Sequence, residues 1–122
     1  MKLHAPALTR LYTFTAYGEG YVMVNGARHE ASVIVLPERI EPWPVADFAS
    51  LAEEHFAALA ALAPEVVLLG TGARLRFPHP RLTAPLARAR IGLEVMDLQA
   101  ACRTYNILMA EERRVAAALL FR

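Results

Sequence analysis

Two short strand-like runs end abruptly in residues that turn a chain. Val66-Val67-Leu68-Leu69 gives way to Gly70-Thr71-Gly72, and Gly92-Leu93-Glu94-Val95-Met96 gives way to Asp97 and a helical pattern. The first run is wholly apolar, as suits a strand covered on both faces. Such strands occur where helices pack on a sheet, which directs the chain toward an α/β architecture. Open α/β sheets place ligands beyond the carboxyl ends of their strands, so the same two turns mark a candidate site. No set of acid, base, nucleophile or metal ligands accompanies them. The residues therefore point to a pocket without naming a reaction.

The rest of the chain fits around these runs. Residues 1–10 read as a loose lead-in, and residues 11–122 as one domain. Leu11 to Tyr17 alternates and is rich in Thr, Phe and Tyr, which predicts a half-buried strand. Tyr21 to Val24 and Arg28 to Leu36 are the next two strands, with Asn25-Gly26 the hairpin signal between them. Pro37 closes this antiparallel meander, and 38–44 reads as irregular. Asp47 offers a cap to a helix carrying Phe48, Leu51, Ala52, His55, Leu59 and Leu62 on one stripe. A short helix is expected over Thr83 to Ala89, and a longer one from Asp97 with Leu98, Ala101, Cys102, Tyr105 and Met109 facing inward. Arg114 to Phe121 reads as the last strand. The expected core comprises Leu51, Leu59, Val67, Leu69, Leu93, Val95, Tyr105, Met109 and Leu119.

Composition excludes several classes of function. With 56% hydrophobic and 20% charged residues, the chain has enough apolar surface to build a core. Thirteen basic and twelve acidic residues leave a formal net charge of +1, too balanced for a protein that works by neutralising phosphates. No nucleic acid partner is expected. One asymmetry stands out: Arg74, Arg76, Arg81, Arg88 and Arg90 lie in a segment without a single acid. A solvated loop and helix face is its plain interpretation. One cysteine permits no internal disulfide and fits a reducing compartment. No apolar run approaches the ~18–20 residues that span a bilayer. A cytoplasmic protein without a membrane span is expected.

Each candidate group has a bland alternative. Gly70-Thr71-Gly72 comes directly after a strand, so its N–H groups could converge on a small anion with help from the Thr71 hydroxyl. The dinucleotide fingerprint would need another glycine where Leu75 stands, and a glycine loop alone also serves close backbone approach. Asp97 could pair with Glu94 for acid–base work, or simply cap its helix. Arg103 and Asn106, three apart on one helix with Gln99 nearby, could line a polar pocket or a solvated helix face. Cys102 lies on an apolar stripe, where a buried thiol is more natural than a nucleophile. The four histidines show no ligand spacing, and no metal or cofactor is expected. His55 on an apolar face reads as a satisfied core imidazole. Trp43 between prolines could anchor a partner or plug the core.

Larger blocks carry a resemblance. Gly70-Thr71-Gly72 after its apolar strand, Ile91 to Asp97, Ala100 to Leu108, and Glu112 to Leu119 together resemble a widespread family of small domains. That family includes a mitochondrial respiratory complex I assembly factor, an adipogenesis-associated human protein, and bacterial and archaeal members of unknown function. The resemblance runs from about Leu11 to Phe121. It implies a three-layer α/β fold, with an N-terminal antiparallel meander and then alternating strands and helices around a central mixed sheet. One strand runs antiparallel to the rest, and it is assigned here to Val115 to Phe121. The mitochondrial member works by binding another assembly factor and nascent subunits, so the resemblance implies a non-catalytic interaction module with a protein partner. Thr71, Asp97, Arg103, Thr104, Tyr105 and Asn106 match the family's recurring polar positions, and no catalytic role transfers with them.

Overall fold

The structure is a computed structural model that describes residues 11–122, so the expected lead-in at 1–10 lies outside the described residues. Three antiparallel strands open the fold: β1 (Phe14–Gly18), β2 (Tyr21–Val24) and β3 (Ala27–His29). Asn25 and Gly26 turn β2 into β3 with φ of 49° and 86°, the left-handed pair that a tight hairpin demands. The expected strand from Arg28 to Leu36 is two elements. Its polar centre, Glu30-Ala31-Ser32, is a corner, and β4 (Val33–Leu36) leaves the meander for a second sheet. Pro37-Glu38 is a hairpin turn into β5 (Arg39–Pro42), so the segment expected to be irregular instead pairs with β4.

Three helices connect the remaining strands: α1 (Glu53–Ala61), α2 (Pro80–Arg88) and α3 (Leu98–Ala110). Asp47 does cap, but only a single 3-10 turn at Phe48–Ser50, where it accepts from the Ser50 N–H at 2.9 Å. α1 starts later, at Glu53. α2 starts at Pro80 rather than Thr83, because proline suits a first helical turn and His79 Nδ1 accepts the Arg81 N–H at 3.0 Å.

The second sheet has the order β5-β4-β8-β6-β7, with β6 at Val66–Thr71, β7 at Gly92–Met96 and β8 at Val115–Leu120. β6 is parallel to both β7 and β8, while β4 is antiparallel to β8. The sheet is mixed, as expected, but the odd strand is β4 rather than the C-terminal β8. A helix returns the chain between β7 and β8, which keeps those strands parallel, whereas the β4–β5 hairpin must reverse.

Strand alternation divides the core into two faces. On one face Val33, Val35, Val66, Leu68, Val115, Ala117 and Leu119 pack with Leu98, Ala101, Cys102 and Tyr105 of α3 and with Phe14, Val22 and Val24 of the meander. On the other, Ile34, Val67, Leu69, Ala116, Ala118 and Leu120 pack with Phe56, Leu59, Leu86 and Trp43. Trp43 is buried, stands edge-on to His55 and Phe56, and thus plugs the core rather than serving as a surface anchor. Of the expected core, Leu93, Val95 and Met109 are only partly buried. Leu93 and Val95 lie on β7, an edge of the sheet.

Gly70 explains how close α3 lies to the sheet. A Cβ at that position would meet Leu119 Cδ2 at 2.8 Å, Ala101 Cβ at 3.1 Å and Leu98 Cα at 3.4 Å. The leucine tip can swing away, but the helix backbone cannot without repacking. Gly70→Ala is expected to destabilise the protein by about 1–3 kcal/mol in urea unfolding. An unchanged midpoint would show that α3 tolerates displacement.

Candidate functional site

The carboxyl ends of β6 and β7 lie side by side, and the start of α3 is tied to the glycine loop. The Leu98 N–H donates to the Gly72 carbonyl at 2.8 Å. Asp97 caps the helix by accepting the Ala100 N–H at 2.9 Å. Beside them opens a cleft of about 650 Å3, and its far wall is the Gly18-Glu19-Gly20 turn of the meander. Gly72, Asp97 and Arg103 line this cleft together with Glu19, Gln99 and Phe121. Three of the expected site residues are thus brought together. Glu19 is a lining residue that sequence reasoning missed, because the turn is legible but its packing across the chain is not.

The other candidates turn inward. Thr71 is fully buried, and its hydroxyl donates to the Arg74 carbonyl at 2.7 Å while accepting the Arg76 N–H at 3.1 Å. That hydroxyl pins the loop after β6. Gly70 serves the close approach already described. Thr104 is half-buried and does not line the cleft. Asn106 reaches the meander instead. Its Oδ1 accepts from Thr13 Oγ1 at 2.8 Å and from the Phe14 N–H at 3.0 Å, and its Nδ2 donates to the Phe14 carbonyl at 2.9 Å. Tyr105 supports the same junction by donating its hydroxyl to the Tyr12 carbonyl at 2.9 Å.

Arg103 is exposed at the cleft, whose lining also includes Glu19 and Asp97. The lining therefore carries more acid than base. The Leu98 and Ala100 N–H groups at the start of α3 are already bonded within the protein, which lowers the pull of the helix start on an anion. His55 is satisfied, with Nδ1 accepting the Ala52 N–H at 2.9 Å and Nε2 facing the Pro44 carbonyl at 3.2 Å. Among the described residues no cluster of three or more His, Cys, Asp or Glu is placed to hold a metal ion. No helix among them is long and apolar enough to cross a membrane.

Cys102 is fully buried in α3, and burial pushes its thiol up from 9.0 to about 12. Burial raises the Tyr105 hydroxyl as well. A group raised on folding stabilises below its unfolded pKa and loses that contribution as pH climbs toward the folded one. Stability should therefore decline from about pH 9 upward. Cys102→Ala should flatten the first part of that decline, before the tyrosine contributes. Alkylation of the native thiol at neutral pH should be slow. Rapid labelling of the folded protein would contradict the burial.

A second, more apolar cleft of about 450 Å3 opens at the amino ends of β6 and β8, lined by Leu36, Leu62, Pro64, Met109 and Val115. Nearby, Arg113 donates to Glu65 from Nε at 3.1 Å and Nη2 at 2.9 Å, which holds the Glu65 carboxyl below its ordinary range.

The chain and its fold match known proteins. A family model described as "Protein of unknown function (DUF498/DUF598)" covers residues 14–120. The chain belongs to this family. It is 34% identical to the zebrafish (Danio rerio) NADH dehydrogenase [ubiquinone] 1 alpha subcomplex assembly factor 3 over 122 residues, 98% of this chain and 68% of that protein. A crystal structure of a Bordetella parapertussis protein is 46% identical, with a TM-score of 0.86 over 92% of this chain and 97% of that one. A Bordetella pertussis solution structure described as an Mth938-like domain is 41% identical, with a TM-score of 0.78 over 98% and 92% of the two chains. This chain is thus related to a complex I assembly factor and spans about two thirds of its length.

Proposed function

We propose that this member of the DUF498 family is a non-catalytic interaction module of the assembly-factor kind, working in the cytoplasm on a protein partner. The observation that carries it is how the recurring polar residues are used. Thr71 and Asn106 spend their hydrogen bonds on backbone and meander, and Asp97 on its own helix start. Thr71 and Asn106 thereby stiffen a scaffold instead of presenting a reactive group to solvent, and the Asp97 carboxylate, though at the cleft, is engaged as a helix cap. Relatedness to a complex I assembly factor gives the same direction. Near-neutral charge argues against nucleic acid as the partner.

The test is a tagged copy expressed in its own cells, with crosslinking and quantitative mass spectrometry. A protein retained at a fixed molar ratio, in the cytoplasmic fraction, is the expected result. Recovery of the chain alone, with or without crosslinker, would sink the proposal.

The cleft supports a second proposal, a small-molecule or anion site at the Gly70–Gly72 loop, of a kind that an enzyme could also use. Arg103 at the rim and the cleft's volume favour it. Titration of phosphate, sulfate and common nucleotides against backbone amide shifts is the check. Shifts at Gly72, Gln99 and Arg103 below millimolar ligand would sustain a site, and their absence would remove it.

A further inference from the structure

The loop between β6 and α2 is built to hold two apolar side chains in water. Leu75 is 50% exposed and Phe77 is 70% exposed, and Ile107, far along α3, is the other large exposed apolar residue among those described. Between the pair, Arg76 folds back. Its Nη2 donates to the Thr71 carbonyl at 2.7 Å, and its guanidinium lies 4.6 Å from the centre of the Phe48 ring. With the Thr71 hydroxyl bonded at Arg74 and Arg76, this strut fixes the base of the loop. Pro78 stiffens the stretch between Phe77 and α2, His79 caps that helix, and Pro80 is its first residue. Residues 73–90 contain five arginines and none of the chain's twelve acids. Arg88 is paired with Glu53 and Arg76 is folded in, which leaves Arg74, Arg81 and Arg90 exposed, the first two on either side of Phe77 in sequence.

Singly exposed apolar side chains are common on protein surfaces, but here two of them share one loop whose base is braced by an arginine. An exposed aromatic on a pre-organised loop, with cations on both sides, is the form of an interface anchor. We propose that Arg74–Arg81 is the docking surface for a protein partner that offers an apolar pocket to Phe77 and carboxylates to Arg74 and Arg81. The occupant is set by charge complementarity, since the segment is cationic without an internal counter-charge. This surface rests on the interaction-module proposal and says where that module binds and what it recognises.

A displayed library of random 16-residue peptides, selected on the full chain, supplies the probe. Selected peptides, made synthetically and followed by fluorescence anisotropy, should be rich in Asp and Glu around a Leu, Ile or Phe. Phe77→Ser should weaken their binding at least tenfold, as should Arg74→Glu combined with Arg81→Glu. Leu75→Ser should weaken it less, and Ile107→Ser should leave it within twofold. Binding should also fall as NaCl rises from 50 to 500 mM. These positions are exposed, so circular dichroism should show each variant folded. If no selected peptide depends on Phe77, or if the selected peptides are neutral or basic, the surface is wrong. Vesicles of phosphatidylcholine with 30% phosphatidylglycerol, bound in a Phe77-dependent way while no acidic peptide is, would replace the protein partner with a membrane and overturn the assignment. Peptides that bind tightly but ignore Phe77 would sink this surface while leaving the interaction module standing.

Discussion

Asn106→Ala is expected to loosen the three-stranded meander from the rest of the molecule. Asn106 Oδ1 accepts two donors and its Nδ2 supplies one, all at β1 or just before it. Truncation leaves Thr13 Oγ1, the Phe14 N–H and the Phe14 carbonyl without that partner in a half-buried setting. At about 1–3 kcal/mol for each group left unpaired, and less where water reaches it, the total loss should be about 2–5 kcal/mol. Asn106→Asp keeps the acceptor but sets a carboxylate oxygen against the Phe14 carbonyl, so it should not rescue the junction. Amide exchange should quicken at Phe14–Val24 before it quickens in β6 or β8. Uniform exchange across both sheets, with an unchanged urea midpoint, would show that the apolar contact of Phe14 with Tyr105 holds the meander without help.

Leu69→Ala should be comparably damaging by a different route. Leu69 is fully buried on β6, in the cluster that includes Leu59, Leu86 and Phe56. Neighbouring strands on both sides leave the backbone little freedom to collapse into the space. The expected loss is about 2–5 kcal/mol by urea or thermal unfolding, the range for a leucine removed from a close-packed interior. A loss under about half a kcal/mol would mean that the site refills, contrary to the burial.

The parts of the fold that sequence reveals are those with local causes. β6 is apolar on both faces because both are covered, and α3 shows its stripe because one side of it packs on that sheet. The corner at Glu30-Ala31-Ser32 is hidden, since three small or polar residues between two β-prone runs look like one strand crossing to solvent. The reversed direction of β4 is hidden as well. Strand direction depends on which neighbour a segment finds, and Val33–Leu36 pairs with residues more than eighty positions later. The candidate site divides the same way. Asp97 as a cap and Gly72 at a strand end can be read from adjacent residues. Asn106 bonding to Thr13, and Glu19 facing Asp97 across a cleft, come from the docking of two sheets, which no spacing announces.

The position of β8 has a consequence for how the protein is made. It is the last strand of the fold, yet it lies between β4 and β6 and joins them. While the chain emerges from a ribosome, the β4–β5 hairpin and the β6–β7 pair have no strand between them until Val115–Leu120 appears. Until then each presents an unpaired apolar edge, the kind of surface that invites mispairing. Folding is therefore expected to be nearly all-or-none and late, completed only when Leu120 has cleared the exit tunnel. A nascent chain arrested before Val115 should remain open to protease and to chaperones, although almost every other element of the fold has already been synthesised.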